Sequence, residues 1–474
     1  MSINYEEYIA GLIKRARAAQ AIAENYTQER VDELTAAVAY ALTKPDVAMK
    51  FGEMLVEESG MGIAANKQAK IFSKVKGSYA QMKGQKSVGL IEVDEKMGTE
   101  KYAKSIGVVG GIMPVTNGEA TPIVKAMMAI KTRNAIILAP HPKAKKTGFA
   151  VCEMVRGVLK KFGAPEDLVI PLDPDYVSLE STQQLMKQVD FIVATGGTPM
   201  VRQAYSSGVP AIGVGTGNVV TIVDGTTNMD DTADLIMRSK MFDNATSCSA
   251  ENNIIVFESC YDEFVAAMAR KGAAWVKENT PEKEKMLKTL WPETPKNHAI
   301  NPQIIAQTAV KIAELAGISV PAETKGIMVE ENGGYGNDFP MTGEKLSPVA
   351  GVRKCKDFDD AVDKLMKTLD YMGKGHSCGI HTTMKERVTY LGEKIPVTKV
   401  CVNFPQCLTN SGSWTSGFPM SMTLGCGTWG FNSVSHNVTW KDLMNFTIVA
   451  RPIPSWQPTD EELFPAEIVA KVNA

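Results

Sequence analysis

The chain has 474 residues, 44% of them hydrophobic, and its 51 lysines and arginines against 53 acidic residues leave a net charge of −2. This length and composition predict a globular protein of two or three domains, and the balanced charge argues against nucleic acid as a partner. No segment approaches the run of about 18 apolar residues that a membrane span needs, and residues 1–20 lack the apolar core of a signal peptide. We therefore predict a cytoplasmic protein with no membrane partner.

Eight cysteines are scattered along the chain without a CxxC pair, and the five histidines form no HExxH motif. The cysteines of a cytoplasmic protein stay reduced, and most of them are expected to be buried like small hydrophobic residues. Because no Cys/His spacing is typical of zinc ligands, we predict no metal site.

Residues 4–85 predict helices. Apolar residues recur at helical spacing between Val31 and Leu42, Thr27 is a candidate N-cap, and Pro45 is expected to end that helix. From residue 105 to about 225, short β-rich runs ("SIGVVGGIMPV", "NAIILAP", "DFIVATGG", "NVVTIVD") alternate with helical runs ("TPIVKAMMAIK", "TGFAVCEMVRGVLKKFG", "TPMVRQAYSSG"). This alternation is typical of βαβ units, and right-handed crossovers then predict a doubly wound parallel sheet.

A second alternating region follows, with strands predicted at 252–259, 326–329, "GIHTT" and "KVCVNF", and helices from Tyr261 and over 357–372. This pattern predicts another α/β domain with its own sheet. Residues 405–435 are rich in Gly, Ser and Thr and predict a long loop, which in a compact protein is usually functional or disordered. The aromatic and apolar residues of this segment argue against disorder. Residues 443–454 return to a strand pattern.

Two junctions after predicted strands are candidate cofactor sites. In "VATGGTPMVRQA", Gly196 and Gly197 would let backbone N–H groups approach a phosphate at a helix N-terminus, although the turn lacks GxGxxG and fits a purely structural role equally well. In "IILAPHPKAKK", His141 and Lys143 begin a basic cluster. A solvated helix start is the simpler interpretation of that cluster, and contact with a ribose or a phosphate is the functional one.

Two residues are candidates for the chemistry itself. Asn117, in "GGIMPVTNGEATP", lies between a strand and a helix, where its amide N–H is able to bond an oxyanion, although an isolated asparagine there is more often an ordinary turn residue. Cys248, in "FDNATSCSAEN", has small hydroxyl and amide neighbours in place of the apolar surroundings typical of a buried structural cysteine. A thiolate at such a place is the strongest nucleophile that the chain offers.

Six motifs occur in order along the chain: "MPVTNGEATP", "RNAIILAPHPKAKK", "ATGGTPMVRQAYSSGVPAIGVGTGN", "FDNATSCSAEN", "GEKLSPV" and "TLGCGTWGFNSVSHN". Together they resemble the CoA-acylating aldehyde dehydrogenases, and most of all the branch that forms acyl-CoA from succinate semialdehyde, acetaldehyde or sulfoacetaldehyde. The resemblance covers essentially the whole chain. It implies two doubly wound α/β domains plus an oligomerisation strand, with a cofactor-binding domain at 1–240, a catalytic domain at 241–435 and an oligomerisation segment at 436–474.

The resemblance also implies roles for individual residues. Cys248 matches the nucleophile, and Asn117 matches the side-chain oxyanion donor, with the Cys248 backbone N–H as its partner. Glu344, in "GEKLSPV", matches the acid that binds the nicotinamide ribose. The other expected contacts with the NAD or NADP cofactor come from Pro114, Thr116, His141, Lys143, Thr195, Gly196, Gly197, Thr198 and Gly215. The strand near 445–452 matches a segment that pairs between subunits, which implies a homodimer or a homotetramer.

One departure from hydrolytic relatives predicts the acyl acceptor. Those relatives carry a glutamate in an "ELGGK" segment, where it activates water, whereas the matching segment here is "GVGTGN" at 213–218, without an acid. Because water attack on a thioester needs a base, the acyl-enzyme is expected to wait for the thiol of coenzyme A. The two rival interpretations are a hydrolytic aldehyde dehydrogenase and a non-catalytic binding or shell protein.

The best prediction for the aldehyde is an anionic one, such as sulfoacetaldehyde or succinate semialdehyde. Lys74, Ser249 and Ser413 are the candidate substrate residues, although a solvated helix face is the simpler interpretation of Lys74. For the cofactor, "APHPKAKK" contains no acid to repel a 2′-phosphate, and Lys143 stands close by. We therefore predict that NADP is accepted, with NAD also usable, and leave the preference between them open. The alternative is that Lys143 points into solvent.

Overall fold

The computed structural model describes residues 3–294 and 298–474. Four helices come first, and they pack on one another and on the first sheet: α1 Tyr5–Ala23, α2 Gln28–Leu42, α3 Pro45–Ser59 and α4 Ala64–Met82. The predicted N-cap of α2 is confirmed, since the Thr27 side chain accepts a hydrogen bond from the Arg30 backbone N–H. Pro45 occupies the first turn of α3, where its missing N–H costs nothing.

The first sheet has five parallel strands in the order β5-β4-β3-β6-β7. The strands are β3 Val108–Ile112, β4 Ala135–Ala139, β5 Val169–Pro171, β6 Phe191–Thr195 and β7 Ala211–Val214. The helices between them are α5 Thr121–Lys131, α6 Lys145–Lys161, α7 Leu179–Gln188 and α8 Thr198–Tyr205. The chain runs outward from β3 in one direction and then from β6 in the other. Ligands of such sheets bind at the carboxyl ends of the strands where this order reverses.

The second sheet has seven parallel strands in the order β10-β11-β12-β9-β8-β13-β14. They are β8 Val219–Val223, β9 Glu251–Phe257, β10 Ala273–Val276, β11 Gly326–Glu330, β12 Val349–Cys355, β13 Cys378–His381 and β14 Val400–Val402. Its helices are α9 Met229–Met241, α10 Tyr261–Arg270, α11 Pro281–Leu290, α12 Ala309–Ala316, α13 Phe358–Tyr371, α14 Lys385–Lys394 and the short α15 Gln406–Thr409.

The change from one sheet to the other precedes the predicted domain boundary at residue 240. The sequence pattern placed β8 with the first group of strands, but β8 pairs with β9 and β13 in the second sheet. The first sheet ends with β7 at Val214, and the second begins at Val219. The intervening segment crosses between the two sheets, and each sheet carries its own apolar core.

A third, antiparallel sheet has the order β1-β2-β15, formed by β1 Gly89–Asp94, β2 Thr99–Lys104 and β15 Asn445–Ala450. The strand predicted at 443–454 is confirmed by β15, whereas β1 and β2 were not predicted. Two short helices, α16 Asp460–Leu463 and α17 Ala466–Asn473, end the chain. Within residues 3–294 and 298–474, no helix combines the length and apolar character needed to cross a bilayer.

Candidate active site

A cavity of about 770 Å³ lies where the carboxyl ends of the first sheet face the second domain. Its walls come from the segments after β3, β4, β6 and β7, from α4, from the turn before β9, and from the loop after β14. The predicted long loop at 405–435 contains α15 but is otherwise largely irregular, and its residues between Pro405 and Leu424 close one side of the cavity. Distant parts of the chain therefore meet in one space.

Cys248 lies in this cavity, in the turn between α9 and β9. It is the one cysteine that is not fully buried, since the other seven are all enclosed and unpaired. The crossing segment 213–218 packs directly on it: a Cβ on Gly217 would lie 2.1 Å from the Cys248 carbonyl oxygen, so only glycine fits there. Burial raises the pKa of Cys248 to about 12, and the charge of Glu344 adds to the shift.

His376 is the neighbour of Cys248 that sequence reasoning missed. Its Nε2 lies 3.3 Å from Cys248 Sγ, and its Nδ1 lies 2.8 Å from Ser377 Oγ. Asn410 Nδ2 donates to the same hydroxyl at 3.0 Å, which fixes the serine. Burial lowers the pKa of His376 to about 3, with the charge of Lys399 adding to the effect, so this imidazole is neutral at physiological pH.

Asn117 lines the cavity from the loop between β3 and α5. Its backbone carbonyl accepts from the N–H of Thr121, the first residue of α5, which anchors the loop to the helix. Its side-chain Oδ1 accepts from Lys70 Nζ at 2.7 Å, while its Nδ2 donates to Thr116 Oγ1 at 3.3 Å. One N–H of the amide is thereby left for a group in the cavity.

Most residues predicted to contact the cofactor line the cavity, namely Pro114, Thr116, His141, Thr195, Gly196, Gly197, Gly215 and Glu344. Thr198 and Lys143 do not belong to this lining. Thr198 Oγ1 instead lies 3.0 Å from Thr216 Oγ1. Lys143 is exposed, because it stands in the short 3₁₀ turn Pro142–Ala144 that precedes α6.

The turn after β6 has room for a ligand. Gly197 has φ −68°, which any residue adopts, so the backbone conformation does not require glycine there. A Cβ added at Gly196 or Gly197 would meet no atom closer than 3.6 Å, so packing within the chain does not require glycine either. A residue without a side chain is instead what the close approach of a bound group to the backbone requires.

A carboxylate from another part of the chain contacts the "APHPKAKK" segment, which has no acid of its own. Glu58, at the end of α3, accepts hydrogen bonds from the backbone N–H groups of Lys146 and Thr147, each at 2.8 Å. It therefore neutralises the positive end of α6. The segment itself contains no acid, as the sequence shows, but Glu58 adds a negative charge beside it, and the predicted use of NADP stays a prediction.

The carboxyl group of Glu344 has no hydrogen-bond partner or ion pair among residues 3–294 and 298–474. Its Oε1 is buried and makes no hydrogen bond in the described chain, and burial raises its pKa to about 8 despite the charges of Lys240 and Lys345. The adjacent Lys345 holds the segment in place by donating to the backbone carbonyls of Asn252 and Gly343. Among the described residues that line the cavity, Glu344 is the only one with a carboxyl group.

Of the three candidate substrate residues, Lys74 and Ser413 line the cavity and Ser249 does not. Ser249 is buried, and its backbone N–H donates to Ser247 Oγ in the turn around Cys248, so the prediction that it borders the substrate needs correction. The solvated face considered for Lys74 is wrong as well, because this side chain is buried. Its ammonium donates to the Gly412 carbonyl at 2.5 Å and to the Ser411 carbonyl at 3.4 Å.

Comparison with known proteins agrees with this architecture. The model of the family described as "Aldehyde dehydrogenase family" matches residues 4–425. The chain is 43% identical to a sulfoacetaldehyde dehydrogenase of an Acholeplasma species over 96% of this chain and 93% of that one. It is also 43% identical to an acylating sulfoacetaldehyde dehydrogenase of Bilophila wadsworthia, over 95% and 96% of the two chains. An acetylating aldehyde dehydrogenase structure from Geobacillus thermoglucosidasius superposes with a TM-score of 0.90 at 33% identity, covering 96% and 98%.

Proposed function

The chain belongs to the aldehyde dehydrogenase family, and we propose that it oxidises an anionic aldehyde, best represented by sulfoacetaldehyde, to its acyl-CoA. It is an oxidoreductase of the acylating type that uses NAD or NADP and coenzyme A. The observation that best supports this proposal is which residues surround Cys248. The segment that presents a water-activating glutamate in hydrolytic relatives here packs on Cys248 through Gly217 and contributes no acid.

Cys248 attacks the aldehyde carbon, and His376 takes the thiol proton. The pKa of the thiol is raised to about 12 and that of the imidazole is lowered to about 3, so a separated thiolate and imidazolium are unfavourable at rest. Proton transfer across the 3.3 Å contact therefore accompanies the attack. For Nε2 to accept this proton, Nδ1 must carry the other proton and donate it to Ser377 Oγ.

Asn117 stabilises the oxygen that becomes negative during this attack. Its side-chain Nδ2–H, together with the backbone N–H of Cys248, donates to the developing oxyanion. The contact between Asn117 Oδ1 and Lys70 supports this role, because an ammonium only donates and therefore keeps the amide oxygen turned towards α4. The N–H side of the amide is the side left for the substrate.

Residues at the carboxyl ends of β3 and β6 would hold the cofactor. Gly196 and Gly197 would let its pyrophosphate approach the backbone at the start of α8, and Glu344 would accept from the hydroxyls of the nicotinamide ribose. The orphaned Glu344 Oε1 and the open turn support this placement. When bound, the nicotinamide supplies the hydride acceptor for the oxidation. The proton held by His376 then passes to solvent, which leaves an acyl thioester on Cys248.

The acyl group then passes to the thiol of coenzyme A. Because segment 213–218 lacks the glutamate with which hydrolytic relatives activate water, the thioester on Cys248 survives until the CoA thiol, a stronger nucleophile than water, attacks it. His376 takes the CoA proton and returns it to the Cys248 sulfur as the acyl group leaves. One thioester replaces another, so the transfer is reversible.

Lys74 binds the charged end of the aldehyde. Its ammonium is buried and interacts with backbone carbonyls alone, without an acidic partner in the described chain. Burial without a counter-charge lowers its pKa to about 8. A sulfonate or carboxylate in the cavity would supply the missing negative charge, which makes this end of the cavity favourable for an anion. Hydroxyl groups of the loop, such as that of Ser413, add hydrogen-bond donors.

The exposed strand β15 joins two copies of the chain. It forms one edge of the third sheet, and Phe446 and Ile448 on it are 42% and 64% exposed, which is unusual for large apolar side chains in a strand. We infer a homodimer, or a dimer of dimers, in the cytoplasm. The eight unpaired cysteines are consistent with a reducing compartment.

A panel of small aldehydes tests the substrate assignment. Acetaldehyde, succinate semialdehyde and sulfoacetaldehyde are each assayed for CoA-dependent reduction of NAD and of NADP. We expect kcat/KM to be highest for an anionic aldehyde. A preference for acetaldehyde over both anionic substrates would contradict the assignment while leaving the acylating reaction intact.

A further inference from the structure

We propose that Lys70 and Asp243 are positioning residues that hold Asn117 and the turn before Cys248 in one geometry. This inference rests on the proposed role of Asn117 in the acylating reaction. Neither side chain acts on the substrate directly. Their function is to connect two loops, one from each domain, that must face the same reacting carbonyl group.

Lys70 sets the direction of the Asn117 amide. An asparagine amide turned through 180° would present its oxygen to a developing oxyanion and repel it. The ammonium of Lys70 lies 2.7 Å from Asn117 Oδ1, and a cation accepts no hydrogen bond, so the reversed orientation would place an NH₂ group against it. Lys70 therefore favours the orientation in which Nδ2 serves the cavity.

Two acids keep Lys70 charged although it is buried. Asp243 Oδ2 lies 2.5 Å from its Nζ, and Glu119 Oε1 lies 3.7 Å away. Burial by itself would lower the pKa of Lys70, but attraction to Asp243 and Glu119 outweighs it, so the pKa lies above the ordinary value. Lys67 completes the cluster with 2.8 Å contacts to Asp243 Oδ2 and to the Thr116 carbonyl. Two ammonium groups thus face two carboxylates.

Asp243 connects this cluster to the turn that precedes Cys248. It opens a run of three residues with left-handed backbone, Asp243, Asn244 and Ala245, whose φ angles are 53°, 51° and 58°. Residues other than glycine keep such a conformation only where their surroundings impose it. The Asp243 carboxylate supplies part of that constraint, accepting from the Ile63 backbone N–H at 2.7 Å and from Thr246 Oγ1 at 2.6 Å. Asp243 also contacts Lys70, so one carboxylate holds both the turn that leads to Cys248 and the lysine that orients the Asn117 amide.

A double-mutant cycle between Lys70 and Asn117 tests the proposal. Lys70→Met keeps the length of the side chain and removes its charge and its donors. We expect kcat to fall about 100-fold with sulfoacetaldehyde and acetaldehyde alike, because a misplacement of about 1 Å near a reacting centre costs that much. The KM for the cofactor should not change. In an Asn117→Ala background, Lys70→Met should cause little further loss, since the residue that it positions is already gone.

The outcomes separate this proposal from the one on which it rests. If Asn117→Ala alone changes kcat by less than about threefold, the oxyanion role fails. If Asn117→Ala is damaging and Lys70→Met multiplies its effect, the positioning role is overturned. A rise in KM confined to sulfoacetaldehyde would also overturn it, because Lys70 would then bind the substrate.

A matched control excludes a general effect of removing a buried lysine. Lys131 is buried and pairs with Asp32 away from the cavity, so Lys131→Met should lower the melting temperature and leave kcat unchanged. If Lys131→Met lowers kcat as much as Lys70→Met, the positioning role is contradicted. Should Lys70→Met fail to fold, Asp243→Asn, which keeps the side-chain shape, enters the same cycle with the same criteria.

Discussion

The two ends of the cavity differ in the residues that line them. The end assigned to the cofactor is lined by backbone and small residues, such as Gly196, Gly197 and Gly215, with Glu344 as its only carboxyl group among the described lining residues. The end assigned to the aldehyde is lined by buried charge, because Lys70 and Lys74 stand one helical turn apart on α4. If the first end holds the cofactor and Lys74 in the second binds an anion, as we propose, substrate choice and cofactor binding should be separable by mutation.

The two lysines differ in their interaction partners. Lys70 has acidic partners, and its pKa lies above the ordinary value of lysine, whereas the ammonium of Lys74 contacts only backbone carbonyls among the residues that the structure describes, and its pKa is lowered to about 8. A buried ammonium with a partner holds structure together, while one without a partner is free to bind an incoming anion. Position on the helix alone would have assigned both residues the same role.

The largest expected effect lies between the two ends, at Cys248. Cys248→Ala should lower CoA-dependent turnover at least about a thousandfold, because it removes the only covalent catalyst that we propose. Cofactor binding, measured by fluorescence quenching, should stay near normal, since no group at the glycine turn changes. Turnover above about one part in a thousand of wild type would mean that another group forms the thioester.

His376 should come next. His376→Ala removes the acceptor for the thiol proton, and general-base catalysis is typically worth about 100- to 10,000-fold, so kcat should fall into that range. The residual rate of the variant should rise steadily with pH between 7 and 10, since solvent hydroxide then removes a proton from a thiol with a pKa of about 12. A pH profile identical to that of wild type would rule out His376 as the base.

Lys74→Met tests the charged end alone. Loss of a charged hydrogen bond costs about 1.5–3 kcal/mol, so kcat/KM for sulfoacetaldehyde should fall about 10- to 100-fold while that for acetaldehyde changes little. Lys76→Met is the matched control, because Lys76 lies on the same helix but is exposed. Equal losses for both aldehydes would show that Lys74 supports the fold and does not bind the anionic group of the substrate.

The smallest effect concerns the proton on Glu344. With its pKa raised to about 8, this group is largely protonated at pH 7. Ribose hydroxyls donate to the ionised form, so cofactor binding should lower the pKa and release about half a proton to one proton at pH 7, and affinity should rise as the pH increases from 7 towards 9. Calorimetry in two buffers of different ionisation enthalpy measures this release. Glu344→Gln should abolish it, and an unchanged release in that variant would place the proton elsewhere.

Local patterns predicted many of the strands, the glycine turn and the partly exposed setting of Cys248, but not the contacts between residues far apart in the chain. The alternation of strands and helices, the glycine turn after β6 and the small-residue setting of Cys248 are all short-range features. His376 lies 128 residues from Cys248 and Glu58 lies 88 residues from Lys146, and no local pattern reports such pairs. The burial of Lys74 likewise depends on a loop more than 300 residues away.

The third sheet shows the same limit. β1 and β2 form a short, partly exposed hairpin: β2 is mostly polar, and the apolar residues of β1 do not alternate with polar ones as in a half-buried strand. β2 gains its second partner only from β15, near the end of the chain. The assignment of β8 failed for a similar reason, because a buried strand pattern predicts a parallel sheet without saying which one.

The most direct test of the acylating reaction uses the wild-type enzyme with sulfoacetaldehyde and NAD or NADP, with and without coenzyme A. Without coenzyme A, we predict a burst of at most one reduced cofactor per Cys248 and then little further turnover, because segment 213–218 supplies no glutamate to activate water against the thioester. Adding coenzyme A should restore steady turnover and yield sulfoacetyl-CoA. Continued production of free sulfoacetate without coenzyme A, at a rate comparable to the CoA-dependent one, would contradict the account.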